Sequence, residues 1–126
     1  MKILLTYIIL ILTITSCCIG AKEEHLGNNI YLSEYDIVDR RILYQECDCA
    51  TSGIEIVPMT VSQYSFNSDW IIAKTEQEDY YIIKNKYETK PTPNEIKSET
   101  TGPIDYESFE EFKRLKSINL KLKTID

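Results

Sequence analysis

Two dense apolar runs lie close together in this chain. Trp70-Ile71-Ile72-Ala73 comes first, and Asp79-Tyr80-Tyr81-Ile82-Ile83-Lys84 follows beyond the polar stretch Thr75-Glu76-Gln77-Glu78. Both are rich in β-branched and aromatic side chains, which fit a pleated surface. Two such runs across so short a loop pair as an antiparallel hairpin. The first run does not alternate, so apolar side chains point to both of its faces. It is expected as a central strand, covered above and below.

Weaker strand signals precede the hairpin. Ile30-Tyr31-Leu32 is a brief strand ended by Ser33-Glu34. Arg41 to Cys47 reads as a second, with Ile42, Tyr44 and Glu46 on one face. Gly53-Ile54-Glu55-Ile56-Val57 alternates until Pro58, which has no N–H to give a ladder. Val61 to Phe66 alternates weakly, and Asn67-Ser68-Asp69 is turn chemistry. Tyr87 to Thr101, with Pro91 and Pro93, is expected as a long loop.

A helix follows. Asp105 suits an N-cap. Glu107, Glu110 and Glu111 precede Lys113, Arg114 and Lys116, the order that complements a helix dipole. Phe109, Phe112 and Leu115 recur every three residues, with Tyr106 and Ile118 extending the line, so the helix should lay one apolar stripe on the sheet. Ile118 to Lys123 alternates by two, and its lysines suit an edge strand. The fold expected is α+β: a small antiparallel sheet of about five to six strands with one C-terminal helix packed on it.

The first residues give an address. Lys2 is followed by the nearly continuous apolar run Ile3 to Ile14 and then by Thr15-Ser16-Cys17. A charged start, a short apolar core and small residues before a cut describe a secretory signal peptide, and the run is too short to span a membrane as a helix. Its ending, Ile14-Thr15-Ser16-Cys17, resembles the lipobox of bacterial lipoproteins, in which the cysteine after the cut carries the lipid. Here that is Cys17. A plain secretory cut nearby and an uncut anchor are the alternatives. Residues 1–16 are thus expected as a signal peptide, 17–28 as a polar tether and 29–126 as one α+β domain. Lys22-Glu23-Glu24 in the tether is similar to the short lysine-plus-acid tag that sends some bacterial lipoproteins to the cell surface. Ordinary solubilising linker charges are the plainer reading.

The chain has 126 residues, with 14 basic and 20 acidic side chains. Without residues 1–16, whose one charge is Lys2, the net is about −7. An acidic surface disfavours nucleic acid and anionic lipid and leaves basic partners open. Nine tyrosines favour β-structure, while only four glycines and four prolines argue against low complexity.

Asn29-Ile30-Tyr31-Leu32, Ile42-Leu43-Tyr44, Trp70-Ile71-Ile72-Ala73-Lys74, Tyr80-Tyr81-Ile82-Ile83, Gly102-Pro103 and Phe109-Glu110-Glu111-Phe112 together resemble an uncharacterised family of small bacterial lipoproteins, a domain of unknown function. The likeness covers most of residues 29–118. It implies a fold and a location and brings no known activity with it.

Candidate chemistry is sparse. Cys47-Asp48-Cys49 puts two thiols within reach of one another, a candidate disulfide that would staple its turn in an oxidising compartment. Two half-buried thiols, or a soft-metal site, are the alternatives. A tetrahedral zinc site wants four ligands, and the nearest further donors, Cys18 and His25, both fall in the tether. No metal and no cofactor are expected. His25 is the only histidine, which speaks against a Ser–His or Cys–His pair. No carboxylate pair stands out, and phosphate-cradling glycine loops are absent from the sequence. Tyr31, Tyr35, Tyr44, Tyr64, Tyr80, Tyr81 and Tyr87 could form an aromatic binding surface, although alternation sends about half of them to the core.

The expected function is therefore non-enzymatic: a binding or structural module of the cell envelope, held to a bacterial membrane through its N-terminal lipid, at the outer membrane or cell surface. An immunity or inhibitor protein that caps an envelope-acting toxin or enzyme with its acidic face is the alternative. A protein partner is open, and no nucleic acid is expected.

Overall fold

The computed structural model describes residues 22–36, 39–46 and 53–125. The leader, Cys17, Cys18, Cys47 and Cys49 lie outside the described residues, so the lipid site and the cysteine staple are not addressed by the fold.

Among the described residues, nine strands form two antiparallel sheets. In the first, β1 (Lys22–Gly27), β2 (Ile30–Asp36), β3 (Asp39–Tyr44) and β4 (Ile54–Val57) pair in chain order. The second contains β5 (Val61–Phe66), β6 (Trp70–Thr75), β7 (Tyr80–Lys84), β8 (Thr100–Ile104) and β9 (Lys123–Thr124), in the spatial order β8-β7-β6-β5-β9. Two helices join these, α1 (Pro93–Ser98) and α2 (Tyr106–Leu115).

The expected hairpin is present, and β6 is the middle strand of the second sheet. Trp70 pairs with Lys84, Ile72 with Ile82 and Lys74 with Tyr80. Its turn is a one-step reversal followed by a left-handed residue: the Glu78 N–H donates to the Thr75 carbonyl at 3.0 Å, Glu78 has φ 63°, and the Thr75 N–H donates to the Asp79 carbonyl at 2.9 Å.

The unbroken apolar run now has its cover. Ile71, Ala73, Tyr81 and Ile83 face the first sheet, where they pack with Leu26, Ile30, Leu32, Ile42, Tyr44 and Val57. Ile72, Tyr80 and Ile82 face the other way, under Phe109 and Ile118. The layers are thus sheet, sheet and helix, with two apolar cores on either side of β6 and β7.

One buried amide ties the sheets together at one end. The Asn85 side chain donates to the Leu26 carbonyl at 2.9 Å and to the Asn67 carbonyl at 2.8 Å, and its Oδ1 accepts from Asn28 at 3.1 Å. Both N–H donors and the oxygen are therefore used, as a buried amide requires. The close fit needs Gly27, whose φ is 145°; a Cβ there would lie 2.4 Å from Asn85 Oδ1.

α2 is capped at both ends by its own sequence. Asp105 accepts from the Ser108 N–H at 2.8 Å, and that bond holds the Asp105 carboxyl below its usual range. At the other end Ser117 is left-handed, with φ 54°. The Ile118 N–H donates to the Lys113 carbonyl at 2.8 Å and the Ser117 N–H to that of Arg114 at 3.3 Å, a Schellman closure.

Several expectations are corrected. A single sheet of about five to six strands becomes nine strands in two sheets, because the first four strands close into a sheet of their own. The helix is not terminal, since the chain runs on past it to β9 at the edge of the second sheet. Within the segment expected as a tether, Lys22–Gly27 forms β1, paired with β2 from Lys22↔Glu34 to Gly27↔Ile30. Tyr87 to Thr101 is not all loop: α1 lies inside it, with Thr92 as N-cap and Ile96 buried against the inter-sheet core, and β8 begins at Thr100. The apolar stripe of α2 is shorter than its spacing suggests. Phe109 is 1% exposed and Phe112 packs edge-on to Trp70 at 6.2 Å, but Tyr106 is 60% and Leu115 66% exposed. Each three-residue step falls about 60° short of a full turn, so a line of such steps leaves the sheet after one or two. Lys113 lies over the Phe109 ring at 5.1 Å and so helps to cover it.

Phe109 stacks on Tyr80 at a centroid distance of 4.7 Å. Phe109→Ala should cost about 3–5 kcal/mol, out of about 5–15 for a domain of this size. Glu111→Ala, on the exposed side of α2, should stay within about 0.5 kcal/mol. Urea unfolding of both variants checks this; equal midpoints would mean that α2 does not hold the second sheet.

Candidate functional site

The two sheets do not close along their full length. On β2 the row facing the second sheet runs Ile30, Leu32, Glu34, so apolar filling gives way to a carboxylate. Glu24 of β1 pairs with Leu32 and shares its face. Across the gap, Tyr64 pairs with Ala73 and Phe66 with Ile71, both core residues, so these two rings also point between the sheets. Lys123 pairs with Tyr64 from β9 and shares its face. The result is a groove of about 470 Å³, lined by Glu23, Glu24 and Glu34, by Leu32, by Tyr64, Ser65 and Phe66, and by Lys123, Thr124 and Ile125.

Its walls differ in chemistry. On one side stand two carboxylates, Glu24 and Glu34. Glu24 accepts from the Tyr64 hydroxyl and Glu34 faces Arg40 at 3.6 Å, whereas Glu23, one residue along β1, accepts from the Gln45 amide at 3.1 Å on the opposite face of the sheet. The other side is a flat aromatic surface, with the Tyr64 and Phe66 rings 6.3 Å apart and within 5° of parallel. Burial, and then the hydrogen bond and charge of Glu24, push the Tyr64 hydroxyl up to about 12. At neutral pH that hydroxyl is a fixed donor to Glu24. The arrangement can grip a group that is cationic or rich in hydrogen-bond donors and has a flat or apolar body.

Of the tyrosines considered from sequence, only Tyr64 lines this groove. Tyr31, Tyr44, Tyr80 and Tyr81 are buried, Tyr87 sits beside Trp70 in a separate hollow, and the side chain of Tyr35 lies outside the described residues. Glu23 and Glu24, expected as linker charges, stand in β1, with Glu24 at the groove wall and Glu23 on the outer face. The signal for the carboxylate wall was the Glu24, Leu32, Glu34 pattern, visible only once β1 and β2 are paired. His25 donates through Nε2 to the Asn28 carbonyl at 2.6 Å and packs on Tyr31 at 4.9 Å. Among the described residues, no three His, Cys, Asp or Glu side chains gather as a metal site, and no helix is long and apolar enough to cross a membrane.

Comparison of the chain with protein-family models, with curated proteins and with solved structures gives no match.

The Tyr64–Glu24 pair makes stability depend on alkaline pH. The folded-state value lies above the ordinary tyrosine value of about 10. Its contribution is therefore complete below about pH 10 and is lost as pH rises toward 12. Spectrophotometric titration should find, among the late-titrating tyrosines, one that Tyr64→Phe removes and Glu24→Gln brings down. A titration unmoved by Glu24→Gln would mean that the pair does not form.

Proposed function

We propose that this chain is a lipid-anchored protein of the bacterial cell envelope that works as a non-enzymatic binding module, and that the groove between its sheets is the binding surface. The observation that carries the binding reading is the groove itself, where exposed aromatic surface and carboxylates meet at the mouth of an otherwise filled interior. Ligand sites combine an apolar wall with a few placed polar groups in this way. The address is supported by the leader and by Ile14-Thr15-Ser16-Cys17, and the resemblance to small bacterial lipoproteins points the same way. Cys17 carries the lipid in this reading.

Two measurements test it. Cys17→Ala should leave the protein as an uncut precursor or release it from membranes, because an acyl chain supplies about 0.8 kcal/mol per buried methylene. If the variant still fractionates as a processed membrane protein, the anchor reading is wrong. A photo-crosslinking side chain placed at Lys123, which shares the face of Tyr64, should capture a specific envelope protein, and the same probe at Glu111 should not. Equal capture at both positions would remove the groove from consideration. A toxic enzyme captured only at Lys123 would make the module an immunity or inhibitor protein.

A further inference from the structure

The chain's one tryptophan is partly exposed, and it does not line the groove. Trp70 opens β6 on the side of the second sheet away from the first, with Phe112 edge-on to it at 6.2 Å. The turn before it is fixed by amides. Asn67 Oδ1 accepts from the Asp69 N–H at 2.9 Å and from the Trp70 N–H at 2.8 Å, and the Asn85 N–H donates to the Asp69 carbonyl at 2.9 Å. Asp69, Trp70, Lys84, Lys86, Tyr87 and Glu88 line a hollow of about 590 Å³ around this turn. It shares no lining residue with the groove.

The charges of the hollow are in balance. Asp69 and Glu88 supply two carboxylates, and Lys84 and Lys86 supply two ammoniums. Among the described residues, none of the four forms an ion pair. Lys84 stands opposite Trp70 in the ladder, and its Nζ lies over the Tyr87 ring at 5.3 Å. One face of Tyr87 is thus taken, and the indole is left as the larger aromatic surface. Such a set selects against simple ions. A cation suited to the carboxylates meets two lysines, and an anion suited to the lysines meets two carboxylates. A purely apolar ligand would draw four charges out of water and give them no partner. A carboxylate only accepts hydrogen bonds and an ammonium only donates them, whereas a hydroxyl does both. A ligand with several hydroxyls on a body with an apolar face therefore satisfies both signs and still covers the ring. Sugar rings have this make-up.

We infer that the Trp70 hollow binds a neutral oligosaccharide. One sugar ring lies on the indole, with hydroxyls donating to Asp69 and Glu88 and accepting from Lys84 and Lys86. The volume of about 590 Å³ lies in the usual range for a small-ligand site. This site is separate from the groove and does not rest on the groove's role.

The test is an array of neutral and sulfated oligosaccharides probed with the full chain, held in a detergent without a sugar headgroup. Fluorescence titration with the neutral oligosaccharide bound most tightly follows. Trp70 is the only tryptophan, so its emission reports the site directly. Neutral oligosaccharides should bind and shift that emission, with affinity held within about twofold up to about 0.5 M salt. Trp70→Ala should weaken binding about tenfold or more. That change also removes the ring against which Phe112 packs, so two exposed positions supply a second reading. Lys86→Gln and Glu88→Gln should each weaken binding about threefold with the melting temperature unmoved, and Glu111→Gln should leave it unchanged. The inference is overturned if no neutral oligosaccharide binds, or if binding leaves the Trp70 emission as it was. Binding confined to sulfated sugars and lost with salt also overturns it, and would make the hollow an ionic site. Capture at Lys123 should be the same in Glu88→Gln as in the unaltered chain, so the hollow and the groove fail separately.

Discussion

Sheet two has no face to give to water. Ile71, Ile72 and Ala73 are consecutive, so strand geometry sends them alternately to opposite sides, and all are fully buried. Burying such side chains contributes about 1.5–3 kcal/mol each, which is collected only if both sides are covered. One cover is the first sheet and the other is α2 with the chain after it. The rest follows from that demand. Four strands must be assembled before β5 to make the first cover, and the chain must return after β8 to lay Phe109 and Ile118 across the far side. Asn85, seated at the end of β7, then fixes how the β1–β2 turn meets the β5–β6 turn.

The parts of the fold legible in the sequence are those where local chemistry and tertiary demand agree. The β6–β7 hairpin, β5, β4 and the Asp105 cap stand where the pattern put them. The failures have separate causes. Lys22–Gly27 is polar and short, so its propensity is that of a linker; it becomes β1 because Gly27 and the left-handed Asn28 turn it back onto β2. α1 was signalled by Thr92-Pro93-Asn94-Glu95, a cap, a first-turn proline and an acid three residues on. Two prolines in a polar stretch concealed it. Leu115 and Tyr106 show a different error, in which a periodicity of three was treated as if it were a helical face.

The candidate site was harder to read, and necessarily so. Its residues come from four strands spread from Glu23 to Ile125 and meet only because two separate sheets stop filling the gap at the same end. No local motif encodes that meeting. A net acidic composition hinted at a cationic partner, but composition does not say which carboxylates are gathered and which are scattered on surface loops. The aromatic half was visible as alternation in Val61 to Phe66, yet alternation alone does not tell an inward ring with company from one at the rim.

The pairing of β1 from Lys22 also sets a leash. If the proposed lipid sits on Cys17, four residues, 18–21, lie between it and the start of β1. At full extension that span is no more than about 18 Å. In that reading the domain would ride on the headgroups instead of standing off on a long stalk, with β1 and its Glu23 and Glu24 close to the bilayer. Anionic headgroups repel those carboxylates across about one Debye length, roughly 8 Å at physiological salt. The body should then tip so that its acidic mouth opens sideways, along the membrane plane. A partner that reaches it would do so from the same membrane, by sliding alongside, more readily than by descending from solution.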